Sequence, residues 1–172
     1  MWMTKEEEQF LRDHIKPTYS VLEWGSGEST IQLAEIADHV VSIEHNPSWV
    51  RKISVDISPK IDLICCPSST PYDKDRDGDG NISQFLEYVI APLRLRRAFD
   101  IILIDGRARA SCALVCPLVS HECTRVFIHD YDLSIPCRQS YAQASYALDF
   151  VQSVGSLAMF TPKRTLICAS KI

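Results

Sequence analysis

Short apolar runs alternate with amphipathic stretches along almost the whole chain, and each boundary carries a recognisable signal. Thr4, with Glu7 three residues on, has the capping-box pattern and predicts a first helix to about Ile15, within an N-terminal helical segment 1–16 that Lys16-Pro17 ends. Tyr19 to Glu23 reads as a strand, followed by a Gly-rich turn and a helix from Glu28 to Ala37. His39 to Glu44 is a second strand, rich in Val and Ile. Asn46-Pro47 supplies a cap and a proline at the first helical position, opening a helix to about Ile57. Ile61 to Cys66 is a third strand, residues 67–81 a polar acidic loop, and Ile82 to Ile90 a helix. Phe99 to Ile104 is the most apolar segment, as expected of a central parallel strand covered on both faces. Arg107 to Val119 then reads as a helix, Arg125 to Ile128 as a fifth strand, and Arg138 to Val151 as a further helix. The last two strands, Leu157 to Thr161 and Thr165 to Ala169, are joined by Pro162-Lys163-Arg164, which is too short for a helical crossover and makes them antiparallel.

Alternation that closes on a hairpin predicts an α/β fold. The expected architecture is a three-layer sandwich around a seven-stranded sheet, parallel except for one strand of the C-terminal hairpin. A length of 172 residues fits one domain over 1–172. The 46% hydrophobic and 23% charged content excludes disorder as the default. Apolar runs such as Ile101 to Ile104 are too short to cross a bilayer, and the opening Met1-Trp2-Met3-Thr4-Lys5-Glu6 is acidic rather than a secretory leader, so no membrane partner is expected.

Seven scattered cysteines, most within apolar segments and expected to be buried, suit reduced thiols and a cytoplasmic address. Cys112 and Cys116 are one helical turn apart but have no matching Cys or His pair, so core packing is expected of them. The net charge of −4, with one basic stretch at Arg94, Arg96 and Arg97, disfavours a nucleic-acid partner.

Open parallel sheets bind ligands beyond the carboxyl ends of their strands. The first strand ends Val21-Leu22-Glu23-Trp24-Gly25-Ser26-Gly27-Glu28-Ser29-Thr30. Gly25 and Gly27 permit a tight turn and close ligand approach, and the helix that follows offers free N–H groups. Thr30 stands where a dinucleotide fingerprint has its third glycine. Glu23 brings to the turn an acid that repels a pyrophosphate and attracts an ammonium or sulfonium. The second strand ends at Glu44, followed by His45, and a carboxylate there suits the hydroxyls of a ribose.

Glu23-x-Gly25-x-Gly27, Glu44, Asp105-Gly106 and the final hairpin together resemble the class I S-adenosylmethionine (SAM)-dependent methyltransferases over most of the chain. The resemblance implies a Rossmann-like fold and SAM as cofactor, bound by Glu23, Gly25, Ser26, Gly27, Thr30, Glu44, His45 and Asp105. It places Pro67, Ser68 or Ser69 beside the adenine. Ile104-Asp105-Gly106 and Phe127-Ile128-His129-Asp130-Tyr131 are similar to the small-molecule O-methyltransferases, which implies methyl transfer to an oxygen or nitrogen of a small polar, anionic or sugar-like acceptor. Asp105, His129, Asp130 and Arg107 are the candidate catalytic groups; His129, Asp105 or Asp130 is the expected base, and His129 is favoured because its pKa lies near neutrality. Some of those enzymes hold a divalent metal on such acids. Here Arg107 follows Asp105-Gly106 where an acid or histidine is more usual, and this opposes a metal and leaves it open.

Arg107 and Arg109 head a helix, where positive charge is unfavourable, and one of them is expected to bind a carboxylate or phosphate of the acceptor. Asp75-Arg76-Asp77-Gly78-Asp79-Gly80 matches the start of a calcium loop, with Asp75, Asp77 and Asp79 as candidate ligands. Its twelfth position is Leu86 rather than a glutamate, and Pro67 to Tyr72 cannot form the entering helix. So small a chain has little room for a substrate-covering subdomain, so a second subunit or the 67–81 loop is the expected cover. Two rivals stand beside the methyltransferase: a non-catalytic SAM- or partner-binding protein of the same fold, and an NAD-dependent oxidoreductase.

Overall fold

The computed structural model describes residues 3–55, 57–74 and 78–166. Among these, the strands β1 (Ser20–Trp24), β2 (His39–Glu44), β3 (Ile61–Cys65), β4 (Phe99–Ile104), β5 (Ser120–Ile128), β6 (Leu148–Val154) and β7 (Leu157–Pro162) form one sheet. Its order is β3-β2-β1-β4-β5-β7-β6. The first five strands are mutually parallel, and β7 runs antiparallel to both β5 and β6. The helices are α1 (Lys5–Arg12), α2 (Glu28–Ile36), α3 (Pro47–Ile53), α4 (Ile82–Ile90) and α5 (Arg109–Val115). None of the described helices is long and apolar enough to cross a membrane.

The period-two alternation of strand side chains divides the core. Val21, Val40, Ile101, Leu103 and Phe127 point to one face, where Leu11 of α1 and Leu33 and Ala34 of α2 cover them. Leu22, Trp24, Val41, Ile43, Ile102 and Ile104 point to the other, against Phe85, Tyr88 and Val89 of α4 and Cys112 and Ala113 of α5. The three-layer sandwich follows from a sheet that is apolar on both sides.

The C-terminal third departs from expectation. In place of a helix from Arg138 to Val151, a 3₁₀ helix spans Pro136–Tyr146, and the chain then becomes β6. The hairpin is therefore β6–β7, one strand earlier in the chain than 157–161 with 165–169. The reason is the Gly155-Ser156 pair between Val154 and Leu157, a two-residue hairpin signal whose Gly155 sits at φ +55. Phe150 stacks edge-on against Phe160 across this hairpin, 5.6 Å between ring centres. Arg164–Leu166 is a short 3₁₀ turn, and the rest of the segment expected as a strand lies outside the described residues. Strand β5 also starts earlier, at Ser120, because the helix from 107 begins only at Arg109 and tightens to 3₁₀ over Cys116–Val119.

Cys66, Cys112 and Cys116 are buried, whereas Cys65, Cys123 and Cys137 are exposed, so burial is less general than the apolar context of the cysteines suggested. Burial pushes the thiols of Cys112 and Cys116 well up, and each bonds a backbone carbonyl, that of Arg107 or Cys112. They are inert core groups.

Candidate active site

Strands β1 and β4 are neighbours, but the connections from them lead to opposite sides, toward β2 and β5. This is the topological switch point, where the carboxyl ends of an open sheet leave a crevice. The chain leaves β1 through Gly25 at φ +99 and leaves β4 through Asp105-Gly106. A Cβ on Gly25 would lie 2.5 Å from both Cα and N of Gly106, and one on Gly106 would overlap the Tyr88 hydroxyl. The two loops thus pack backbone against backbone, with Asp105 N–H donating to the Trp24 carbonyl at 2.9 Å. Beside them opens a cavity of about 880 Å³, within the range of small-molecule sites.

Glu23 is fully buried and stands behind the turn rather than in the cavity wall. Its carboxylate accepts from the hydroxyls of Ser29 (2.5 Å), Thr30 (2.5 Å) and Ser42 (2.6 Å). Burial pushes its pKa up to about 7 against the pull of these three donors. Thr30, also fully buried, in addition accepts from Gly27 N–H at 2.9 Å. Glu44 does reach the cavity, and accepts from the backbone N–H groups of Ser26 (3.0 Å), His45 (2.9 Å) and Asn46 (2.7 Å). Gly25, Ser26, Gly27, His45 and Asp105 also line the cavity.

The adenine candidates Pro67, Ser68 and Ser69 are not lining residues; Ser69 bonds the Ser83 and Gln84 carbonyls, and of this loop Tyr72, Lys74, Gly78 and Asp79 line the cavity. Ser29, Asn46, Trp49 and, from the N-terminal segment, Met3, Leu11 and Arg12 line the cavity without having been singled out in the sequence. Asn46 was visible only as a helix cap, and no local pattern tells that α1 folds over the crevice.

The buried Glu23 makes a testable statement about stability. Its folded pKa lies above the ordinary glutamate value of about 4.3. Between about pH 4.3 and about 7, then, the folded chain holds a proton that the unfolded chain has lost. This contribution is fully present below that window, falls as pH rises through it, and amounts to on the order of 3 kcal/mol. Glu23→Gln removes the titration. The melting temperature of the variant minus that of wild type is expected to rise between about pH 5 and about pH 8; a difference independent of pH would refute the assignment.

Across the crevice lies a compact ionic cluster. His129, only 3% exposed, donates from Nδ1 to Asp105 Oδ1 at 2.8 Å, and its Nε2 lies 3.8 Å from Glu7 of α1. Burial opposes its charge, but the hydrogen bond to Asp105 and the charges of Asp105 and Asp130 prevail, and its pKa is raised. Glu7 is itself anchored, accepting from Ser156 N–H at 2.6 Å in the β6–β7 turn and from Thr4 N–H at 2.7 Å, which completes the capping box of α1. Asp130 accepts from Arg109 at 3.1 Å and Arg138 at 2.9 Å; burial raises its pKa, but these cations and His129 bring it below the usual range.

Arg109 is spent inside the protein. Its Nε donates to the Gly106 carbonyl, Nη2 to the Asp105 carbonyl, and Nη1 to both the His129 carbonyl and Asp130. Asp79, from the 67–81 loop, accepts from Arg109 N–H at 2.8 Å, while its carbonyl accepts from Ala108 N–H at 2.7 Å. Helix α5 has no cap of its own, and Asp79 supplies one from 30 positions away. Asp79 therefore turns into the site instead of outward into a calcium loop; Asp75 and Asp77 lie outside the described residues. Arg107 differs from Arg109. Both line the cavity, but the Arg107 guanidinium makes a single bond, to the Gly106 carbonyl, and has no carboxylate partner among the described residues.

Asp105, His129 and Asp130 present ligand atoms within 4.8 Å of one another, a donor set that suits a divalent ion by type. A resident metal does not fit them, because the Arg109 guanidinium is bonded to Asp130 and lies 3.4 Å from Asp105 Oδ1, and Arg138 holds the other Asp130 oxygen.

The sheet order with β7 reversed, and the glycine turn at the end of β1, define the Rossmann-like fold of the class I SAM-dependent methyltransferases. The chain is similar to a methyltransferase-like protein from Silicibacter pomeroyi, with TM-score 0.75 and 24% identity over 95% of this chain and 88% of that one. It also resembles the N-methyltransferase NodS of Bradyrhizobium japonicum in complex with S-adenosylhomocysteine, with TM-score 0.55 and 15% identity over 92% of this chain and 86% of that one. A third likeness is to MycE of the mycinamycin pathway, in complex with Mg, S-adenosylhomocysteine and mycinamycin VI, with TM-score 0.56 and 14% identity; this chain is covered to 95% and MycE to 46%. No protein-family model and no curated protein matches the chain.

Proposed function

We propose that the protein binds SAM in the crevice between β1 and β4 and transfers its methyl group to an oxygen or nitrogen of a small, anionic acceptor. The observation that carries this is the fate of the two N–H groups in the glycine turn. Ser26 N–H is taken by Glu44 and Gly27 N–H by Thr30, so the turn offers neither to a pyrophosphate, and a dinucleotide loses its usual anchor. The cavity instead presents Glu28, Glu44 and Asp105, which favour a ligand carrying ammonium and sulfonium charges. Glu44 lines the cavity and takes the ribose hydroxyls in this reading, and Ser29, bonded to Glu23, links that acid to the cavity wall.

Asp105 is the proton acceptor in this proposal. Its Oδ1 is held by His129, while Oδ2 takes no hydrogen bond from the described residues and belongs to a cavity-lining side chain. His129 stands behind it, between Asp105 and Glu7, and acts by orienting Asp105. Arg107 supplies the charge that recognises an anionic acceptor; Arg109, which has no nitrogen to spare, does not.

Calorimetric titration with SAM and S-adenosylhomocysteine tests the reading, with NAD as the comparison ligand. Micromolar binding of both SAM and its product, weakened at least about tenfold in Glu44→Ala, is the expected result. Failure to bind either would overturn it, and binding without turnover on any acceptor would reduce the protein to a SAM-binding module. Once an acceptor is in hand, Arg107→Ala is expected to raise its KM by about 10–100-fold with little change in kcat, the loss of one charge-assisted contact. An unchanged KM would remove the anionic class.

A further inference from the structure

We infer that Arg109 is the resident cation of the acidic centre: its guanidinium stands where a divalent metal would stand and keeps metal out. Three carboxylates converge on it from three separate segments. Asp79 comes from the 67–81 loop, Asp105 from the end of β4 and Asp130 from the end of β5, with charge separations of 3.8, 3.4 and 3.1 Å. A metal would draw on much the same groups, since Asp105, His129 and Asp130 already gather within 4.8 Å. The guanidinium fills that convergence with a planar fork whose every nitrogen has an acceptor, including the carbonyls of Gly106, Asp105 and His129. Only 5% of the residue is exposed, so it is a fixed part of the centre and not an arm that swings to substrate.

Electrostatics makes the exclusion strong. A dication entering beside a buried guanidinium would meet a like charge within bonding distance of the same oxygens, in surroundings where screening is weak. Without the guanidinium, Asp79, Asp105 and Asp130 would be left facing one another with only His129, Arg138 and, toward Asp79, Arg107 among the described residues to balance them. Buried carboxylates in that state either take up protons or capture a cation. The guanidinium also bonds the Asp105 carbonyl through Nη2, which makes Arg109 a positioning residue for Asp105 as well as a neutralising one.

The inference does not rest on methyl transfer, and its test reads metal binding alone. Mn²⁺ is titrated into the full chain and free ion is followed by electron paramagnetic resonance, for wild type, Arg109→Met and Arg109→Ala. Wild type is expected to bind no Mn²⁺ at this centre, and the variants to gain one site per chain at least about tenfold tighter than anything wild type shows. Melting in the presence of Mn²⁺ is the second readout: added metal raises the melting temperature of the variants and leaves that of wild type unchanged. Stoichiometric binding to wild type that Asp105→Asn abolishes would overturn the inference. So would a folded variant that gains no site, or variants that stay unfolded with Mn²⁺ present.

Discussion

Asp105→Asn is expected to lower the methyl-transfer rate by about 10²–10⁴-fold, the usual contribution of a positioned base, while the chain still folds and binds SAM within about tenfold of wild type. Asparagine keeps the shape of the side chain and its place beside His129 but can no longer take a proton. Folding survives because Arg109 retains Asp79 and Asp130 as counter-charges. His129→Gln is the informative companion. Burial works against a charge on His129, but the Asp105 bond and the charges of Asp105 and Asp130 raise its pKa, so the imidazolium persists above the ordinary histidine value of about 6.5. Its Nδ1 is bonded to Asp105 and its Nε2 faces Glu7, so the ring turns neither nitrogen to an acceptor. The His129 variant is therefore expected to lose less rate than the Asp105 variant, since it removes only an orienting contact. Rates measured on one acceptor decide between them: a His129 loss as large as the Asp105 loss, together with a wild-type rate that climbs with pH through the ordinary histidine range, would return the base to His129.

The way His129 is held also shows where sequence reasoning stops. The strand ends were legible because each is written locally. His39–Glu44 and Phe99–Ile104 are bounded in the structure as their apolar runs predict, and the acids at their ends fall at the crevice because parallel strands deliver their carboxyl ends to one edge. Partners were not legible. Glu23 reads as a ligand-facing acid from its place before Gly25, yet Ser29, Thr30 and Ser42 enclose it, and Ser42 comes from the neighbouring strand. Arg109 and Arg107 are alike in sequence, two residues apart at the head of one helix. What separates them is the ring of acceptors around the Arg109 guanidinium, the carbonyls of Gly106, Asp105 and His129 and the carboxylate of Asp130, with Asp79 added from a loop whose acidic spacing suggested calcium. The missed hairpin is a different failure: Leu148 to Val154 alternates too imperfectly to outweigh the helical pattern before it, and Gly155-Ser156 was the local signal that would have corrected it.

Gly25→Ala should be strongly destabilising. Gly25 lies at φ +99, a backbone region that costs an L-residue roughly 1–2 kcal/mol. The added Cβ would also sit 2.5 Å from two backbone atoms of Gly106, which have no rotamer with which to yield, so overpacking adds about 1–3 kcal/mol or more. Together these remove several kcal/mol from a total of about 5–15, and the melting temperature should fall by roughly 10 °C or more. The damage falls on one contact, the back-to-back packing of the loops after β1 and β4, so whatever structure remains should also lose SAM. Gly27→Ala is the control that separates folding from binding. Gly27 has extended backbone, and its Cβ would meet nothing closer than Ser29 Oγ at 3.9 Å, so the fold should tolerate it. The residue nonetheless lines the cavity, and a methyl group there should weaken SAM without melting the chain. Melting curves and SAM titrations on both variants separate the two effects. A Gly25 variant that melts like wild type would mean that the β1 and β4 loops can part without cost, and the close approach of their backbones would then not be what shapes the crevice.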